Sequence, residues 1–594
     1  MSVIEQARQF LARGAWEAAR PLLERAVRAA PKDADAAFLL ARTLQMLRER
    51  EPAAYQARRC VELRPGDPGV RIAAAELLQA VGKPADAERL LREGIERFAG
   101  VASMRSGLIN ALRGQGRVGE AGDAALAAAA MFERDALLAI IAAGALGESL
   151  RSREAAALVR RAVSLAPADH RILRAAATML LYSDDATDAE LASLHGALGR
   201  AFAGATPGQA LSSAPRDRQG PLRVGLVSPD LRDHAVARFL ESWIGGHDRT
   251  RVAFVGVPTL GPADDTTARI RGGCDGWVDV SGLGDDAAVA AVRAAHLDIA
   301  IDLGGWHVTA RPSLFARRLA RRQVGWLGYA HAVGLPTIDA RLVDDITDPG
   351  SQPAAGFVPR EETLSVDSGL EPAVALESCF LCFGPDPRTP DIASPTSGAP
   401  IRFASFNAQQ KITPTTLDLW CGVLNAVSPS QLVLKSRALT DAGVRGVLDG
   451  HLRDRGIDPG RVVVLAHANG YAEHLACYNA CDIALDTTPY AGTTTTCEAM
   501  LMGLPVVTLA GGRHAARVGS SLLTAAGRRA DIASDAEGFI SRARALATEA
   551  DRQTPALRLA AKQSRRDAFV ASALCDAGGF ARRLTDALVA IAGG

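Results

Sequence analysis

The sequence lacks several features that would place a protein in a functional class at once. It has no excess of charge of either sign, since 67 Lys and Arg residues stand against 66 Asp and Glu residues in 594 positions. Proteins that bind nucleic acid or anionic membrane surfaces usually carry a basic excess, so we expect neither partner. Apolar residues make up 48% and charged residues 22%, which are globular values and exclude wholesale disorder. The length allows about three to six domains.

Cysteine is scarce, with nine residues that form no disulfide or metal-binding framework. The pairs Cys379–Cys382 and Cys477–Cys481 are isolated, without a second pair or a histidine at metal-ligand spacing, so we predict buried reduced thiols. The longest apolar run, 136–146, is far shorter than the ~20 residues of a membrane span. The start, 1–5, has no basic region followed by an apolar one, so we expect no secretory signal and a cytoplasmic protein.

A 34-residue period runs through the first third of the chain. Small residues recur in two columns at this spacing, and Pro31, Pro65 and Pro167 fall on the same grid. The columns are Ala19, Ala53, Ala87, Ala121 and Ala155, and Ala26, Cys60, Gly94, Ala128 and Ala162. Small residues at a fixed phase indicate close helix crossings, and the prolines end the second helix of a pair. The period resembles the tetratricopeptide repeat over about 5–190 and predicts a superhelix that binds a polypeptide, with a plain helical bundle as the alternative.

The pattern changes after a Gly- and Pro-marked stretch at 203–221, where β-type runs begin to alternate with helical segments. We predict strands at 222–227, 252–257, 297–303, 323–327, 401–406, 431–435, 462–466, 482–486 and 504–509. Such alternation indicates doubly wound parallel sheets, with ligands bound at the carboxyl ends of the strands. We therefore predict an N-terminal α-solenoid (1–200) followed by two Rossmann-like lobes (222–385 and 401–594), with linkers at 201–221 and 386–400. No P-loop motif occurs, and no Gly-x-Gly-x-x-Gly follows a strand.

The most informative segment begins at Asp486, where a strand of the second lobe ends. Thr493, Thr494, Thr495 and Thr496 then open a helix, although four threonines would be unfavourable inside one. At a helix start, free N–H groups and hydroxyls favour a phosphate, and Glu498 one turn later is placed to accept hydrogen bonds from ribose. The alternative is a capping box, Thr495-x-x-Glu498, that serves only the helix.

A second candidate segment follows the first strand of the same lobe and contains Asn407, Gln409 and Lys411. Lysine is rare in this arginine-rich chain, so Lys411 at a strand end is conspicuous. An ammonium group there would balance the charge of a phosphate leaving group. The alternative is a solvated surface lysine.

In the first lobe, polar and aromatic residues follow three strands at positions that face the predicted cleft. They are Asp233, His234, Gly304, Gly305, His307, Tyr329 and His331. Histidine titrates where a general base must, and paired glycines let a ligand approach the backbone closely. A lone histidine is more often structural, and the residues alone leave that alternative open.

Together these segments resemble glycosyltransferase family 41, the O-linked N-acetylglucosamine transferases and their bacterial relatives. The likeness covers about 222–570 and is strongest from Asp482 to Ser521, with further matches at 326–329, 406–407 and Lys411. The resemblance implies a GT-B fold and an inverting glycosyltransferase that needs no metal or other cofactor beyond its nucleotide-sugar donor. The attached repeats fit the same family.

Carried over by position, the resemblance implies a role for several residues. Lys411 would contact the diphosphate, Thr494 and Thr495 the phosphate, and Glu498 the ribose. His474 would lie near the nucleotide, and His234 would act near the acceptor hydroxyl. We therefore name His234 and Lys411 as candidate catalytic residues.

Departures from the eukaryotic pattern leave the donor open between UDP-N-acetylglucosamine and a CMP-nonulosonic acid. Thr493 replaces a histidine, Ala408 a glutamine and Glu498 an aspartate. The compact, Ala- and Arg-rich chain resembles bacterial flagellin glycosyltransferases, which makes flagellin the leading acceptor. The alternatives are a non-catalytic adaptor and a transferase acting on lipid or polysaccharide. A homo-oligomer and a monomer are both compatible with the repeats.

Overall fold

The computed structural model describes residues 2–206, 220–357, 370–393, 400–466 and 468–593. They form two compact units: unit 1 comprises Met1–Ala166 with Ala438–Leu448, and unit 2 comprises Pro167–Arg437 with Asp449–Gly594. Residues 207–219 of the predicted first linker and 394–399 of the second lie outside the described residues.

Together with the first part of the helix Ala442–Arg453, unit 1 contains, among its described residues, ten complete helices that pair consecutively. They are α1 (Val3–Ala12), α2 (Trp16–Ala29), α3 (Ala34–Met46), α4 (Arg50–Leu63), α5 (Pro68–Ala80), α6 (Pro84–Arg97), α7 (Ala102–Gly114), α8 (Val118–Met131), α9 (Ala136–Glu148) and α10 (Ser152–Leu165). Both columns of small residues lie buried on the even-numbered helices. At Gly94 a Cβ would stand 2.6 Å from the Arg71 side chain and 2.9 Å from Met104 Sδ. The predicted helical solenoid is confirmed.

Two further helices, α11 (His170–Leu180) and α12 (Asp188–Ala205), continue the helical pattern but belong to unit 2. The division between the units therefore follows Ala166, whereas the sequence placed a boundary near 200. Helix α12 packs tightly on the first lobe: a Cβ at Gly199 would stand 1.9 Å from the carbonyl oxygen of Gly334. Gly334 has φ +70°, a conformation that L side chains disfavour.

The first lobe is an eight-stranded parallel sheet. Its strands are β1 (Leu222–Ser228), β2 (Val252–Pro258), β3 (Gly276–Trp277), β4 (Ile299–Asp302), β5 (Arg322–Gly325), β6 (Ala340–Val343), β7 (Gln352–Pro353) and β8 (Ala373–Ala375), in the order β3-β2-β1-β4-β5-β6-β8-β7. Four helices follow its strands: α13 (Ala235–Glu241), α14 (Asp265–Gly273), α15 (Asp285–Ala294) and α16 (Pro312–Ala316).

The second lobe repeats this order in a six-stranded parallel sheet, β11-β10-β9-β12-β13-β14. Its strands are β9 (Ile401–Ser405), β10 (Ser430–Lys435), β11 (Val462–Leu465), β12 (Ile483–Leu485), β13 (Val506–Leu509) and β14 (Ile532–Ala533). Its helices are α17 (Pro414–Ala426), α18 (Ala442–Arg453), α19 (Tyr471–Ala476), α20 (Thr494–Leu501), α21 (His514–Ala525), α22 (Ala536–Asp551), α23 (Pro555–Val570) and α24 (Ala577–Gly593). The predicted pair of doubly wound sheets is confirmed.

The strand order decides where a ligand would bind. In each lobe the order reverses beside the first strand, between β1 and β4 and between β9 and β12. At such a switch point the following loops leave in opposite directions and open a crevice at the carboxyl ends of the strands. His234 follows β1 and Lys411 follows β9, so both predicted catalytic residues lie at switch points.

The two lobes share one apolar core. Helix α24, at the end of the chain, brings Phe580 against Trp243 and Trp326 of the first lobe, with ring centroids 5.8 and 6.1 Å apart. Between the lobes, the Ser521 hydroxyl donates to Asp344 Oδ2 at 2.6 Å. All nine cysteines are free thiols, and six of them are buried as predicted, whereas Cys274, Cys477 and Cys575 are partly exposed. In the part of the chain that the structure describes, no helix meets the length and hydropathy of a membrane span.

Candidate functional site

Lys411 ends a short 3₁₀ turn, Gln409–Lys411, between β9 and α17. Its Nζ donates to the carbonyl oxygen of Ala491 at 2.8 Å and lies 4.2 Å from the centre of the Tyr490 ring. Burial lowers the pKa of Lys411 to about 8, against the opposing effect of the Asp486 carboxylate. The ammonium group thus faces the turn that leads into the threonines, and the alternative of a solvated surface lysine does not hold.

Asp486 closes that turn. Its Oδ1 accepts the N–H groups of Thr487 at 2.8 Å and Gly492 at 2.6 Å, and its Oδ2 accepts the Thr508 hydroxyl at 2.8 Å. Burial raises the pKa of Asp486, and these hydrogen bonds act in the opposite direction. Only glycine fits at position 492 without a shift of its neighbours, because a Cβ there would stand 2.7 Å from the Thr495 hydroxyl oxygen.

The threonines form the start of α20. Thr493 is the N-cap residue, but its side chain makes no capping hydrogen bond, and Thr493, Thr494 and Thr495 are each partly exposed. The Thr495 hydroxyl donates to Asn407 Oδ1 at 2.9 Å, which joins the loops after β9 and β12. The first N–H groups of a helix lack partners within it and favour an anion.

Glu498 does not complete a capping box, so that alternative is wrong. Its carboxylate pairs with His474 Nε2 at 3.0 Å while His474 Nδ1 hydrogen-bonds to Lys435 Nζ. Because an ammonium group can only donate, the Nε2 hydrogen of His474 is left to donate to Glu498. Lys435 is the last residue of β10, and this polar strand end is a signal that the sequence interpretation missed.

Gln409 and Asn407 lie within the same cluster. Gln409 Oε1 accepts the Ser436 hydroxyl at 2.7 Å, and Asn407 Nδ2 donates to the Ser405 hydroxyl at 3.3 Å. The structure therefore brings the predicted donor-binding residues together at the ends of β9, β10 and β12. We call them, with Lys435, the donor cluster: Asn407, Gln409, Lys411, Lys435, His474, Thr493–Thr496 and Glu498.

In the first lobe, His234 is the N-cap residue of α13. Its Nδ1 accepts the Val236 N–H at 3.3 Å and lies 3.6 Å from Asp230 Oδ2, while 45% of the side chain is exposed. The neighbouring Asp233 is engaged elsewhere, since Arg238 donates to it at 3.1 Å. Asp230 was missed by the sequence interpretation, although it lies four residues before His234.

The glycines after β4 hold a buried carboxylate. Asp302 Oδ1 accepts the N–H groups of Gly304 at 2.9 Å and Gly305 at 3.0 Å, and burial raises the pKa of Asp302 to about 6. Burial also lowers the pKa of His307, which the Asp230 carboxylate partly counteracts. His307 therefore shares the surroundings of Asp230 and His234.

Tyr329 and His331 are held by α12. The Tyr329 hydroxyl donates to His195 Nε2 at 2.8 Å, and the His331 ring stacks on His195 with centroids 4.1 Å apart. Burial lowers the pKa of His195 to about 4, so this histidine is neutral near pH 7. In this structure the two predicted cleft residues anchor a helix.

A cavity of about 560 Å³ lies between the lobes beside these residues. Its lining includes His331, Arg341 and Asp348 from the first lobe and Arg513 and His514 from the second. His514 Nδ1 hydrogen-bonds to Asp348 at 2.5 Å. The lobes thus leave a polar opening on the side where the strands end.

Comparisons with known proteins agree with this architecture. The chain matches the family described as Glycosyl transferase family 41 over residues 178–355 and 395–581. The matched segments include both switch points and all residues of the donor cluster. The protein belongs to glycosyltransferase family 41.

Individual relatives extend the likeness. The chain is 34% identical over 420 residues to the probable UDP-N-acetylglucosamine–peptide N-acetylglucosaminyltransferase SPINDLY of Oryza sativa subsp. japonica, covering 69% of this chain and 43% of the relative. It is 28% identical over 324 residues to the probable enzyme SEC of Arabidopsis thaliana, covering 52% of this chain and 31% of the relative. The chain thus spans less than half the length of either plant protein.

Among solved structures, a mutant of the Thermobaculum terrenum O-GlcNAc transferase is similar with a TM-score of 0.65. The identity is 26%, and the match covers 99% of this chain and 96% of that one. The combination of N-terminal helical repeats and two parallel sheets therefore occurs in a transferase of comparable length.

Proposed function

We propose that this protein is a protein O-glycosyltransferase. A serine or threonine hydroxyl of a polypeptide attacks the anomeric carbon of a nucleotide sugar, the bond from that carbon to the phosphate oxygen breaks, and the nucleotide leaves. The observation that carries the proposal is the donor cluster, in which an ammonium group, a helix start and hydroxyl groups converge at one switch point. Membership of family 41 supports it.

The donor cluster suits the charge that develops on a leaving nucleotide. Lys411 supplies a positive charge, and the start of α20 supplies N–H donors fixed before the reaction begins. Each such preorganised donor is worth about 10²–10³-fold in rate. In this proposal these groups stabilise the leaving phosphate without a metal ion, while the His474–Glu498 pair contacts the ribose.

His234 is proposed to receive the proton of the acceptor hydroxyl, with Asp230 as its partner. In the structure Nδ1 accepts the Val236 N–H, which in a neutral imidazole leaves the hydrogen on Nε2. Proton exchange with water can remove the Nε2 hydrogen and add one to Nδ1; a ring turned toward Asp230, now 3.6 Å away, would hold that tautomer by an Nδ1–H hydrogen bond and leave Nε2 free to accept a proton. Hydrogen bonds of this kind commonly tighten when substrate binds.

The donor and acceptor are proposed from the comparisons and from the resemblance. The names of the plant relatives make UDP-N-acetylglucosamine the first donor to test, and the likeness to flagellin transferases makes CMP-nonulosonic acid the second. Flagellin is the corresponding protein acceptor, although neither plant name mentions it. The helices of unit 1 are proposed to bind the acceptor polypeptide.

The test is a transfer assay with UDP-, GDP- and CMP-linked sugars, flagellin and a panel of serine- and threonine-containing peptides, read by intact mass. We expect one donor to be consumed with a matching mass increase on the acceptor. A non-catalytic adaptor would bind no nucleotide and release none. Sugar transfer to lipid or glycan, but not to protein, would instead favour the remaining alternative.

The role of the repeats is tested separately by removing residues 1–166. The deletion ends there because α11 and α12 pack in unit 2 and must be retained. We expect capture of the acceptor protein to be lost while nucleotide binding persists. Undiminished capture would assign acceptor binding to the lobes.

A further inference from the structure

The segment between α11 and α12, residues 181–187, lies against the donor cluster. The ring of Tyr182 stacks on the ring of Tyr490, with centroids 4.9 Å apart and planes inclined by 19°. Tyr490 is the same residue whose ring lies 4.2 Å from the Lys411 ammonium group. One aromatic ring is therefore shared between a helical connection and the candidate catalytic lysine.

Two hydrogen bonds fix this segment in place. Asp184 Oδ2 accepts the N–H of Thr415, in the first turn of the helix that follows Lys411, at 3.0 Å. The carbonyl oxygen of Ser183 accepts a hydrogen bond from the guanidinium of Arg513 at 2.8 Å, and Arg513 is itself buried. The two residues that directly follow Tyr182 are thus hydrogen-bonded to two different segments of the second lobe.

The same pair of helices also holds the loops of the first lobe. Arg174 on α11 donates to the carbonyl oxygen of Trp306 at 3.1 Å, and His195 on α12 accepts the Tyr329 hydroxyl at 2.8 Å. Tyr182 therefore lies in the connection between two helices that are both hydrogen-bonded to the first lobe, and these bonds restrain its ring beside Tyr490.

We propose that Tyr182 is a positioning residue, which holds the Tyr490 ring so that the Lys411 ammonium group stays at the donor phosphate. This inference rests on the proposed function, because it assumes that Lys411 meets a nucleotide. The ring face attracts the ammonium group electrostatically, and the stack with Tyr182 restrains the tilt of that face. Without Tyr182, the Tyr490 ring is free to turn and water reaches Lys411.

The experiment compares four substitutions in the full-length protein. Tyr182→Ala removes the ring, Tyr182→Leu keeps apolar volume without an aromatic face, and Tyr182→Phe keeps the stack. Tyr55→Ala is the matched control, since Tyr55 is 55% exposed on α4. Thermal melting checks that each variant folds, and titration calorimetry with UDP, GDP and CMP measures nucleotide affinity.

We expect Tyr182→Ala and Tyr182→Leu to weaken nucleotide binding about three- to tenfold, the scale of one aromatic stack. Tyr182→Phe and Tyr55→Ala should bind like the parent. In Tyr182→Ala, nucleotide affinity should also begin to fall at a higher pH than in the parent. Greater exposure to water raises the pKa of Lys411, because it reduces the desolvation that lowers this pKa. The titratable groups that face Lys411 are Asp486 and Tyr490, with Tyr182 and Tyr329 next to Tyr490.

The outcomes separate this inference from the proposed function. If the parent binds none of the nucleotides, both fail together. If the parent binds a nucleotide and the Ala and Leu variants bind it equally well at every pH, the positioning role is overturned while the proposed function stands. A Phe variant as weak as the Ala variant also overturns it, because the ring would then not be the active feature.

Discussion

The two lobes share one strand order around their first strands, yet they present different chemistry at their switch points. The second lobe offers a partly buried ammonium group at Lys411 and a helix start at Thr494, which supply a fixed charge and fixed donors. The first lobe instead offers two imidazoles, those of His234 and His307, near the Asp230 carboxylate. Under the proposed function, the same strand order is used twice, once to stabilise the leaving group and once to activate the acceptor.

The largest effect should come from Lys411→Ala. We expect transfer to fall about 10²–10³-fold, because a preorganised charge at the leaving phosphate is lost. The measurement is the initial rate of sugar transfer, with capture of the acceptor protein followed in parallel and expected to be unchanged.

The matched control for this change is Lys32→Ala, because Lys32 is exposed in the helical region. It should transfer sugar at the parental rate. If Lys411→Ala transfers sugar at the parental rate, the second lobe does not stabilise the leaving phosphate through this residue.

His234→Ala tests the proposed general base of the first lobe. Loss of a general base costs about 10²-fold, so kcat should fall while nucleotide affinity stays at the parental value. Single-turnover rates together with calorimetry separate the two quantities. A large loss of nucleotide affinity would mean that His234 serves the donor instead.

Glu498→Gln removes the negative charge that pairs with His474 in the donor cluster. We expect nucleotide affinity to fall about tenfold, since a charge-assisted hydrogen bond to a buried group is lost. Calorimetry with the nucleotide that the parent binds gives the number. The control is Glu537→Gln, because Glu537 is exposed on α22. If both variants bind the nucleotide with equal affinity, Glu498 does not contribute to nucleotide binding.

The pH dependence of binding tests the charge on Lys411. Burial lowers the pKa of this group to about 8, so the free protein carries the ammonium form below that pH and loses it above. Nucleotide affinity should therefore fall by up to about tenfold per pH unit above pH 8. Lys411→Ala should lack this step, and an alkaline limb that persists in the variant would assign it to another group.

The smallest expected change concerns stability. Gly199→Ala on α12 places a Cβ 1.9 Å from the Gly334 carbonyl oxygen, so the free energy of unfolding should fall by about 1–3 kcal/mol. Gly204→Ala on the same helix meets nothing within 4 Å and should raise it by less than about 1 kcal/mol. Urea unfolding of the two variants measures the difference. Equal midpoints would show that α12 does not pack on the first lobe in solution.

Much of this architecture was predictable because it follows from local patterns in the sequence. Ala121 and Gly94 fall on a fixed period, and long strands such as β1 and β2 are nearly continuous apolar runs. The strands that were missed, β3, β6, β7, β8 and β14, have only two to four residues and carry no periodic signal. Their pairing is decided by neighbours that are distant in sequence.

The same distinction between local patterns and distant contacts applies to the residues of the candidate site. Lys411 and Thr493–Thr496 were predictable because their residue types are unusual at those positions. The partners of Glu498 and the role of Tyr182 were not, because each depends on a contact between segments far apart in the chain. The structure also shows α12 in contact with Tyr329 and His331, two predicted cleft residues, and His331 lines the cavity between the lobes as well.

The most direct test of the central claim is calorimetric titration of UDP, GDP and CMP into the parent, Lys411→Ala and His234→Ala proteins. We expect one nucleotide to bind the parent and His234→Ala with the same affinity and to bind Lys411→Ala at least tenfold more weakly. Equal binding by Lys411→Ala, or no binding of any nucleotide to the parent, would contradict it.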